Sequence, residues 1–301
     1  MAPERRQLEP GQLRSRAGDT RQRALDRGAL VPIPTSYEIV ERVGVRFQLR
    51  VLESLKRKDE ARRAVALAYK EAPRPAANPF LPYDEDLYVA DVGHDHVALL
   101  NKYNVIDCHL LLVTRAFAHQ EEWLDRADMG AAARCLAELD ALVFYNGGEA
   151  AGASQPHKHL QLVPLPLIEG EPAVPLADWI AAAAAEAGIG RVPGLPFRHG
   201  VLGVDPGAGA GDLLESYTKL LRDVGLLPRD AALTGRQTAP YNLLLTRGWM
   251  MLVPRGAEFA GRISVNSLGF AGSLFVRDEA ERQTVVELGP LEILRRVGVP
   301  L

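Results

Sequence analysis

Two histidines and a glutamine alternate along one short segment of the chain. His157, His159 and Gln161 occur in HKHLQLV, directly after a glycine-rich stretch at residues 147–155. A β-strand here would place the three polar groups on one face, about 6.6–7 Å apart, because side chains alternate along a strand. A neutral imidazole is a nucleophile toward phosphorus, and backbone N–H groups of a glycine-rich loop bind anionic oxygens. The segment therefore predicts a phosphate site with an imidazole aimed at it.

Two other interpretations of the histidine pair stay open from the residues alone. A His-x-His pair on a strand is a common metal-ligand arrangement, and His94 and His96 could complete such a site in space. The histidines could also be ordinary half-buried polar residues. The glycine-rich approach and the Ser-Gln-Pro lead-in favour the phosphate site over both.

Composition and charge limit the class of protein. The chain has 301 residues, 47% of them hydrophobic, and can bury a large core. Its net charge of −3 gives no indication of a protein that binds nucleic acid or a membrane surface. No apolar run reaches the roughly 18 residues that cross a bilayer, and the first ten residues lack the apolar segment of a signal peptide. We therefore expect a cytoplasmic protein with two reduced cysteines, Cys108 and Cys135.

Hydrophobic periodicity predicts the elements that must position the histidines. The predicted strands lie within residues 45–51, 96–117, 143–146, 157–165, 240–255 and 264–276. The predicted helices span residues 125–142, 178–188 and 212–226, followed by a terminal pair within 279–298. Asp128 is the predicted N-cap of the first helix, and the Gly/Pro-rich residues 188–211 are predicted to be a flexible insertion. Strands joined by turns, with few helices, favour an α+β fold with an antiparallel sheet.

The histidine segment resembles a known family when its neighbours are included. Residues 146–161, NGGEAAGASQPHKHLQ, resemble the active-site segment of diadenosine tetraphosphate (Ap4A) phosphorylases, also called ATP adenylyltransferases, of the histidine-triad (HIT) superfamily. The superfamily pattern is His-x-His-x-His before two apolar residues, and the phosphorylase branch carries glutamine at the third position, as Gln161 does here. The segments NPFLPYDEDLYV, HVALLNKYNVIDCHLLLVTRAF, YNLLLTRGWMMLVPR and NSLGFAGSLFV are similar to that family's segments, in its order. The resemblance covers roughly residues 40–285.

The resemblance implies a fold and a domain order. It implies an α+β, HIT-like antiparallel sheet flanked by helices, with a C-terminal extension that completes a second half of the sheet. Residues 31–170 would form the HIT-like catalytic region, and residues 171–301 an ATP adenylyltransferase-type region on the same core. The polar, Arg-rich composition of residues 1–30 separately predicts an arm or helix. A chain of this length can hold both halves of the sheet, so we expect a monomer.

The resemblance also implies a reaction and its catalytic residues. His159 would attack an α-phosphate of Ap4A and form an adenylyl-histidine with release of ATP, and phosphate would then release ADP. His157 would orient His159 by hydrogen bonding, and Gln161 would donate to the phosphoryl oxygens. The alternatives are a HIT-type dinucleoside polyphosphate hydrolase, another nucleotidyltransferase, or a non-enzymatic protein that binds metal or nucleotide.

Further positions match the family's contacts to nucleotide and phosphate. They are Lys56, Asn101, Lys102, Asn146, Gly152, Ala153, Ser154, Gln155, Asn266, Ser267, Leu268, Ser273 and Arg277. Because the protein is slightly acidic overall, we expect local positive charge from Lys56, Lys102, Lys158 and Arg277, and from a divalent cation, Mg²⁺ or Mn²⁺, that arrives with the nucleotide. No organic cofactor or structural metal ion is expected. The expected partners are Ap4A, ATP, ADP and phosphate, without nucleic acid or membrane.

Gln161→His tests the link between the third position of the motif and the second nucleophile. Because the superfamily's hydrolases carry histidine there, we expect the variant to raise hydrolysis of Ap4A to AMP relative to phosphorolysis. The ratio of AMP to ADP formed with phosphate present measures the effect. An unchanged ratio would show that the link is wrong.

Overall fold

A β-sheet covered on both faces is the framework of the chain, whose computed structural model describes residues 7–42, 44–52 and 78–301. The described strands are β1 (Thr35–Arg42), β2 (Val45–Leu52), β3 (Tyr88–Val92), β4 (His96–Leu100), β5 (Leu110–Thr114), β6 (Ala141–Gly147), β7 (His159–Pro164), β8 (Gly200–Gly203), β9 (Tyr241–Leu245), β10 (Trp249–Pro254), β11 (Phe259–Ala260), β12 (Ile263–Ser264) and β13 (Ser273–Val276). The described α-helices are α1 (Leu13–Asp26), α2 (Arg126–Glu138), α3 (Ala177–Ala184), α4 (Ala210–Asp223), α5 (Ser267–Phe270), α6 (Glu279–Leu288) and α7 (Pro290–Val297).

The main sheet places the histidine segment at its centre. Its strand order is β3-β4-β5-β7-β6-β9-β10-β8, and every neighbouring pair is antiparallel. A smaller sheet, β1-β2-β13, contains one parallel pair, β2 with β13. Because β7 lies between β5 and β6, backbone hydrogen bonds hold both of its edges. This is the antiparallel α+β architecture that the sequence predicts.

Side chains of the main sheet alternate between two apolar cores. On the first face, Leu243 and Leu245 of β9 pack with α1, α2 and α4. On the second face, Leu244 packs with β2, α3, α6 and α7. Met250 and Met251 of β10 divide between the two cores in the same way. Both faces are thus covered, which explains the unbroken apolar runs in these strands.

The second face carries two apolar clusters with a polar gap between them. One cluster is the core that contains Phe144, and the other contains Phe80 and Leu111. Gln161 pairs with Leu111 on one neighbouring strand and with Phe144 on the other, so it lies between the clusters. His159, two residues earlier on the same strand, shares this face.

The N-cap of α2 is Asp125, and the prediction of Asp128 is wrong. The Asp125 carboxylate accepts hydrogen bonds from the backbone N–H groups of Ala127 and Asp128. Asp128 is the third helical residue, and its carboxylate accepts from the backbone N–H of Asp125. The two aspartates form a capping box, in which the carboxylate of each residue accepts a hydrogen bond from the backbone N–H of the other.

Two predicted segments also differ from the structure. Residues 188–211 are not a flexible insertion, because they contain β8, which pairs with β10 at the edge of the main sheet. Residues 264–276 are not one strand, because Asn266 caps the short helix α5 by accepting from the backbone N–H of Leu268. Asparagine favours this capping role over a strand interior.

A buried ionic triad lies behind the histidine segment, on the first face. Lys158 Nζ is 2.6 Å from Asp128 Oδ2, and His96 Nε2 is 2.8 Å from Asp128 Oδ1. Burial would raise the pKa of Asp128, but the hydrogen bond from His96 and the charge of Lys158 together lower it. Lys158 therefore does not supply positive charge to a phosphate as predicted, because strand alternation turns it away from His159 and Asp128 neutralises it.

The structure also bears on membrane insertion and on the state of the two cysteines. Over residues 7–42, 44–52 and 78–301, no helix is long and apolar enough to cross a bilayer. Cys108 and Cys135 carry free thiols. Burial raises the pKa of Cys135 to about 12, which keeps this thiol protonated and unreactive.

Lys158→Met tests the contribution of the triad. We expect it to lower the free energy of unfolding by about 3 kcal/mol, because the variant leaves the buried Asp128 carboxylate with one partner fewer. Urea unfolding followed by circular dichroism measures the change. Lys219→Met is the matched control, because Lys219 pairs with Glu215 at 2.7 Å on the exposed side of α4 and should contribute less than about 0.5 kcal/mol. Equal effects in the two variants would contradict the prediction.

Candidate active site

His159 begins β7 with a defined ring tautomer. Its Nδ1 is 2.8 Å from the carbonyl oxygen of His157. A carbonyl only accepts hydrogen bonds, so Nδ1 carries the proton and Nε2 keeps its lone pair. Burial of the ring, which is 3% exposed, lowers the pKa of His159 to about 4. At neutral pH the side chain is therefore a neutral imidazole with Nε2 as its nucleophilic atom.

Gln120 holds the backbone of His159 in place. Gln120 Oε1 accepts from the His159 N–H at 2.8 Å, and Gln120 Nε2 donates to the carbonyls of His159 at 3.2 Å and Asn146 at 2.9 Å. The β6–β7 ladder ends at the pair Phe144–Gln161, two residues short of this point. One side chain, 2% exposed, thus joins the two strands where their own hydrogen bonds stop.

His157 acts on His159 through its main chain. The structure begins β7 at His159, and His157 instead forms an isolated bridge with His119. His157 Nε2 is 2.8 Å from the Thr114 carbonyl oxygen and therefore donates, while Nδ1 accepts from Asn78 Nδ2 at 2.9 Å. The side chain of His157 fixes the position of the carbonyl that accepts from His159. Burial lowers the pKa of His157 as well.

Two side-chain amides in the polar gap have their oxygens engaged. Gln161 Oε1 is 2.9 Å from His109 Nε2. Asn146 Oδ1 accepts from Asn242 Nδ2 at 2.9 Å and from the Ser267 hydroxyl at 2.7 Å. In both residues the oxygen is held by protein donors, so the NH₂ end is the one that can donate to a ligand.

A buried arginine joins the glycine-rich loop to the C-terminal region. Arg255 is 2% exposed, and its five N–H groups donate to five neutral oxygens. The acceptors are Asn242 Oδ1 and the carbonyls of Ala151, Ala257, Val265 and Val297, at 2.5–3.3 Å. Burial lowers the pKa of Arg255 to about 9, against the influence of Glu258, so the guanidinium stays charged at neutral pH. This charge lies one hydrogen bond from Asn242, which itself binds Asn146.

The glycine-rich loop packs tightly against the C-terminal region. Gly152 has φ +91°, and a Cβ there would lie 3.0–3.1 Å from Asn266 and the Val265 carbonyl. Only glycine fits both this backbone conformation and this approach. The backbone N–H groups of residues 151–153 donate to carbonyls earlier in the same loop. They are therefore not the inward-facing phosphate donors that the sequence predicts.

Asn146 is linked to His159 through Gln120, and several other predicted binding residues contact Asn146 or one another. The loop brings Gly152 against Asn266, and Ser267 binds Asn146 through both its hydroxyl and its N–H. Leu268 follows Ser267 and Ala153 follows Gly152, and both are buried. Ser154 and Gln155 are half-buried in the loop that leads to His157. Asn101 is in contact with His109, its Nδ2 3.2 Å from the ring.

The other predicted binding residues have different surroundings. Lys102 Nζ lies 3.8 Å from an Asp84 carboxylate oxygen. Ser273 is buried in β13 of the smaller sheet. Arg277 donates through its guanidinium to the Glu281 carboxylate and to the Arg262 carbonyl. The charge of Arg277 is thus compensated locally, which its spacing of four residues from Glu281 would allow on a helical turn. Lys56 lies outside the described residues.

The sequence alone did not identify the residues that orient His157, His159, Gln161 and Asn146. They are Gln120, His109, Asn242, Arg255 and Asn78. Two carried a signal, because His109 and Asn242 are polar residues at the start of otherwise apolar strand runs, HLLLV and NLLL. Gln120 gave none, since it lies in the polar run HQEE and meets His159 only in the folded chain.

The four-histidine metal site does not form. His94 is 96% exposed and pairs with Asp95, and His96 is committed to Asp128 on the first face. His157 and His159 each have one ring nitrogen bound to a carbonyl oxygen. Within the part of the chain that the structure describes, no three His, Cys, Asp or Glu side chains are grouped to hold a metal ion.

The protonation state of His159 is a testable consequence of its burial. Imidazole ¹⁵N spectra should show a proton on Nδ1 and none on Nε2, with the ring neutral down to about pH 5, because its pKa is about 4. Long-range ¹H–¹⁵N NMR between pH 4.5 and 8 measures this, and His159→Gln assigns the resonances. Protonation between pH 6 and 7, or a proton on Nε2, would contradict the geometry.

Comparison with known sequences identifies relatives over most of the chain. Residues 3–182 match the Ap4A phosphorylase N-terminal domain, and residues 193–300 match the ATP adenylyltransferase C-terminal domain. Diadenosine 5',5'''-P1,P4-tetraphosphate phosphorylase 2 of Saccharomyces cerevisiae is 31% identical over 259 residues, which are 73% of this chain and 75% of that protein. Protein APA1 of the same yeast is 30% identical over 230 residues, 67% of this chain and 68% of the relative.

Solved structures of yeast Ap4A phosphorylase Apa2 share the fold. One superposes with a TM-score of 0.80 at 24% identity and covers 97% of this chain and 99% of the other. The complexes of Apa2 with AMP and with Ap4A each give a TM-score of 0.78 at 25% identity, with the same coverage. The predicted α+β fold and the predicted resemblance are both confirmed. The chain belongs to the Ap4A phosphorylase family.

Proposed function

We propose that the protein is a nucleotidyltransferase that cleaves Ap4A with phosphate to give ATP and ADP. The observation that carries the proposal is the hydrogen bond from His159 Nδ1 to the His157 carbonyl, which leaves Nε2 as a nucleophile in the polar gap. Family membership points to the same chemistry. One relative is a diadenosine tetraphosphate phosphorylase, and a similar yeast phosphorylase has been solved in complex with Ap4A.

In the first step, His159 Nε2 attacks an α-phosphorus of Ap4A. A P–N bond forms, the bond from that phosphorus to the bridging oxygen breaks, and ATP leaves with the oxygen and its electron pair. The ring of the adenylyl-histidine becomes positively charged, because Nδ1 keeps its proton. The His157 carbonyl accepts from this proton before and during the step, so it stabilises the charge without reorganisation.

Neutral donors and one buried cation would stabilise the phosphoryl group. Gln161 and Asn146 have their oxygens held by the protein and can donate from their NH₂ groups to non-bridging oxygens. Arg255 adds a fixed positive charge, connected to Asn146 through Asn242. Donors placed before the reaction are worth more in a water-poor site than in solution.

In the second step, an oxygen of inorganic phosphate attacks the same phosphorus. The P–N bond breaks, the electron pair returns to His159 Nε2, and ADP leaves. Phosphate is already anionic at neutral pH and needs no base, whereas water must lose a proton. The amide of Gln161 cannot accept that proton as an imidazole could. This difference favours phosphorolysis over the hydrolase alternative.

The proposal includes the setting of the reaction. The protein acts as a monomer in the cytoplasm, and Mg²⁺ or Mn²⁺ enters the site with the polyphosphate. The length of the chain, which holds both halves of the main sheet, supports a monomer. The high negative charge of the substrate supports the entry of the cation.

Product analysis with a nucleophile variant tests the proposal. Wild-type protein incubated with Ap4A and phosphate should form ATP and ADP in equal amounts, and His159→Gln should lower kcat by about 10⁴-fold or more, because it removes the nucleophile. Ap4A labelled in an α-phosphate should label wild-type protein and not the variant.

The control for that experiment is His199→Gln. His199 is a buried imidazole next to β8 at the far edge of the main sheet, with Nδ1 bound to the Phe197 carbonyl. The His199→Gln variant should keep wild-type kcat. Formation of ATP and AMP without phosphate would identify the hydrolase alternative, and retained labelling of His159→Gln would move the nucleophile elsewhere, with His157 the first candidate.

A further inference from the structure

His109 lies beside the proposed nucleophile strand without a role in the chemistry described so far. It immediately precedes β5, is 6% exposed, and stands between two side-chain amides. Its Nδ1 is 3.2 Å from Asn101 Nδ2, and its Nε2 is 2.9 Å from Gln161 Oε1. The ring also packs against Phe144, with centroids 5.8 Å apart.

A backbone N–H group sets the direction of both hydrogen bonds in the series Asn101–His109–Gln161. The N–H of Tyr103 donates to Asn101 Oδ1 at 3.3 Å, which identifies the oxygen end of the Asn101 amide. The other end, Nδ2, therefore donates to His109 Nδ1. A neutral imidazole has one donor and one acceptor nitrogen, so Nε2 carries the proton and donates to Gln161. The atom of Gln161 that faces His109 must then be its oxygen.

We infer that His109 is a positioning residue that fixes the amide of Gln161 with its NH₂ group toward the phosphoryl oxygens. The inference rests on the proposed function, because it concerns the donor in that reaction. Without the His109 proton, the two orientations of the Gln161 amide differ little in energy. In the reversed orientation an oxygen, rather than an N–H group, would face the anionic phosphoryl group and repel it.

The burial of His109 keeps this arrangement intact across a wide pH range. Burial lowers the pKa of His109 to about 4, so the ring has a single proton at the pH of ordinary assays. A doubly protonated ring would place two donors, His109 Nδ1–H and Asn101 Nδ2–H, against each other. The neutral ring is therefore the form that orients Gln161.

A double-mutant cycle separates positioning from a merely structural role. His109→Leu should lower kcat for phosphorolysis by about 10–100-fold, because the donor of Gln161 is no longer held in place, with KM changed by less than about threefold. In a Gln161→Leu background, which has no amide to orient, His109→Leu should change kcat by less than about twofold. An equal effect of His109→Leu in both backgrounds would overturn the inference.

Rescue and control variants complete the test. Glutamine can place its Nε2 near the position of an imidazole Nε2, so His109→Gln should return kcat to within about fivefold of wild type. His199→Leu, which removes a buried imidazole far from the site, should lower thermal stability and leave kcat within about twofold of wild type. If His109→Gln is as slow as His109→Leu, the inference is overturned.

Two readouts distinguish failure of the inference from failure of the proposed function. Wild-type protein that forms no ATP and ADP from Ap4A and phosphate would contradict the proposed function, and with it the inference. An active wild type with an additive cycle would contradict the inference alone. Imidazole ¹⁵N NMR of the whole protein gives a measurement independent of turnover, since the inference requires the His109 proton on Nε2 and is overturned by a proton on Nδ1.

Discussion

The hydrogen bond from His159 Nδ1 to the His157 carbonyl decides which atom of the site can react. It commits the only ring proton, so the lone pair of a neutral imidazole must reside on Nε2. The bond spans two residues of one chain segment, and its geometry depends on where the backbone of that segment runs. Gln120 fixes the backbone at His159, and the contacts of the His157 ring with Thr114 and Asn78 fix it at His157. Much of the surrounding polar structure therefore stabilises the Nδ1-protonated tautomer of His159.

The site depends on both halves of the chain. His159 and Gln161 come from the region before residue 171, but the donors that orient Asn146 come from Ser267 and Asn242. Each of these buried polar groups would be costly if it lost its partner, so the two regions are held together by the same hydrogen bonds that prepare the site. Stability and preorganisation are thus properties of one network, and neither region carries the complete arrangement by itself.

The sequence predicted the parts of the structure that depend on local pattern. The antiparallel class, a strand within residues 157–165 and the terminal helix pair follow from periodicity over a few residues. The failures have a different origin. The prediction that Lys158 supplies charge to the phosphate is wrong, although strand alternation already places it on the face opposite His159. The sequence does not show that its partner on that face is Asp128. Gln120 was missed because its contact with His159 joins segments 39 residues apart. Contacts across the sheet are set by topology, which single-sequence patterns do not contain.

The source of positive charge in a slightly acidic protein follows from how each cation is solvated. Lys158 and Arg277 are paired with carboxylates, Asp128 and Glu281, so their fields largely cancel at a distance. The five acceptors of Arg255 are neutral carbonyl and amide oxygens, which stabilise the guanidinium through dipoles, and its charge is offset only in part, by the Glu258 carboxylate. The acceptor dipoles weaken the field of Arg255 mainly at short range, because a dipole field decays faster with distance than the field of a full charge. A phosphoryl group near Asn146 would therefore still be attracted by Arg255. Because this cation is 2% exposed and held on all sides, it need not move or shed water when an anion binds.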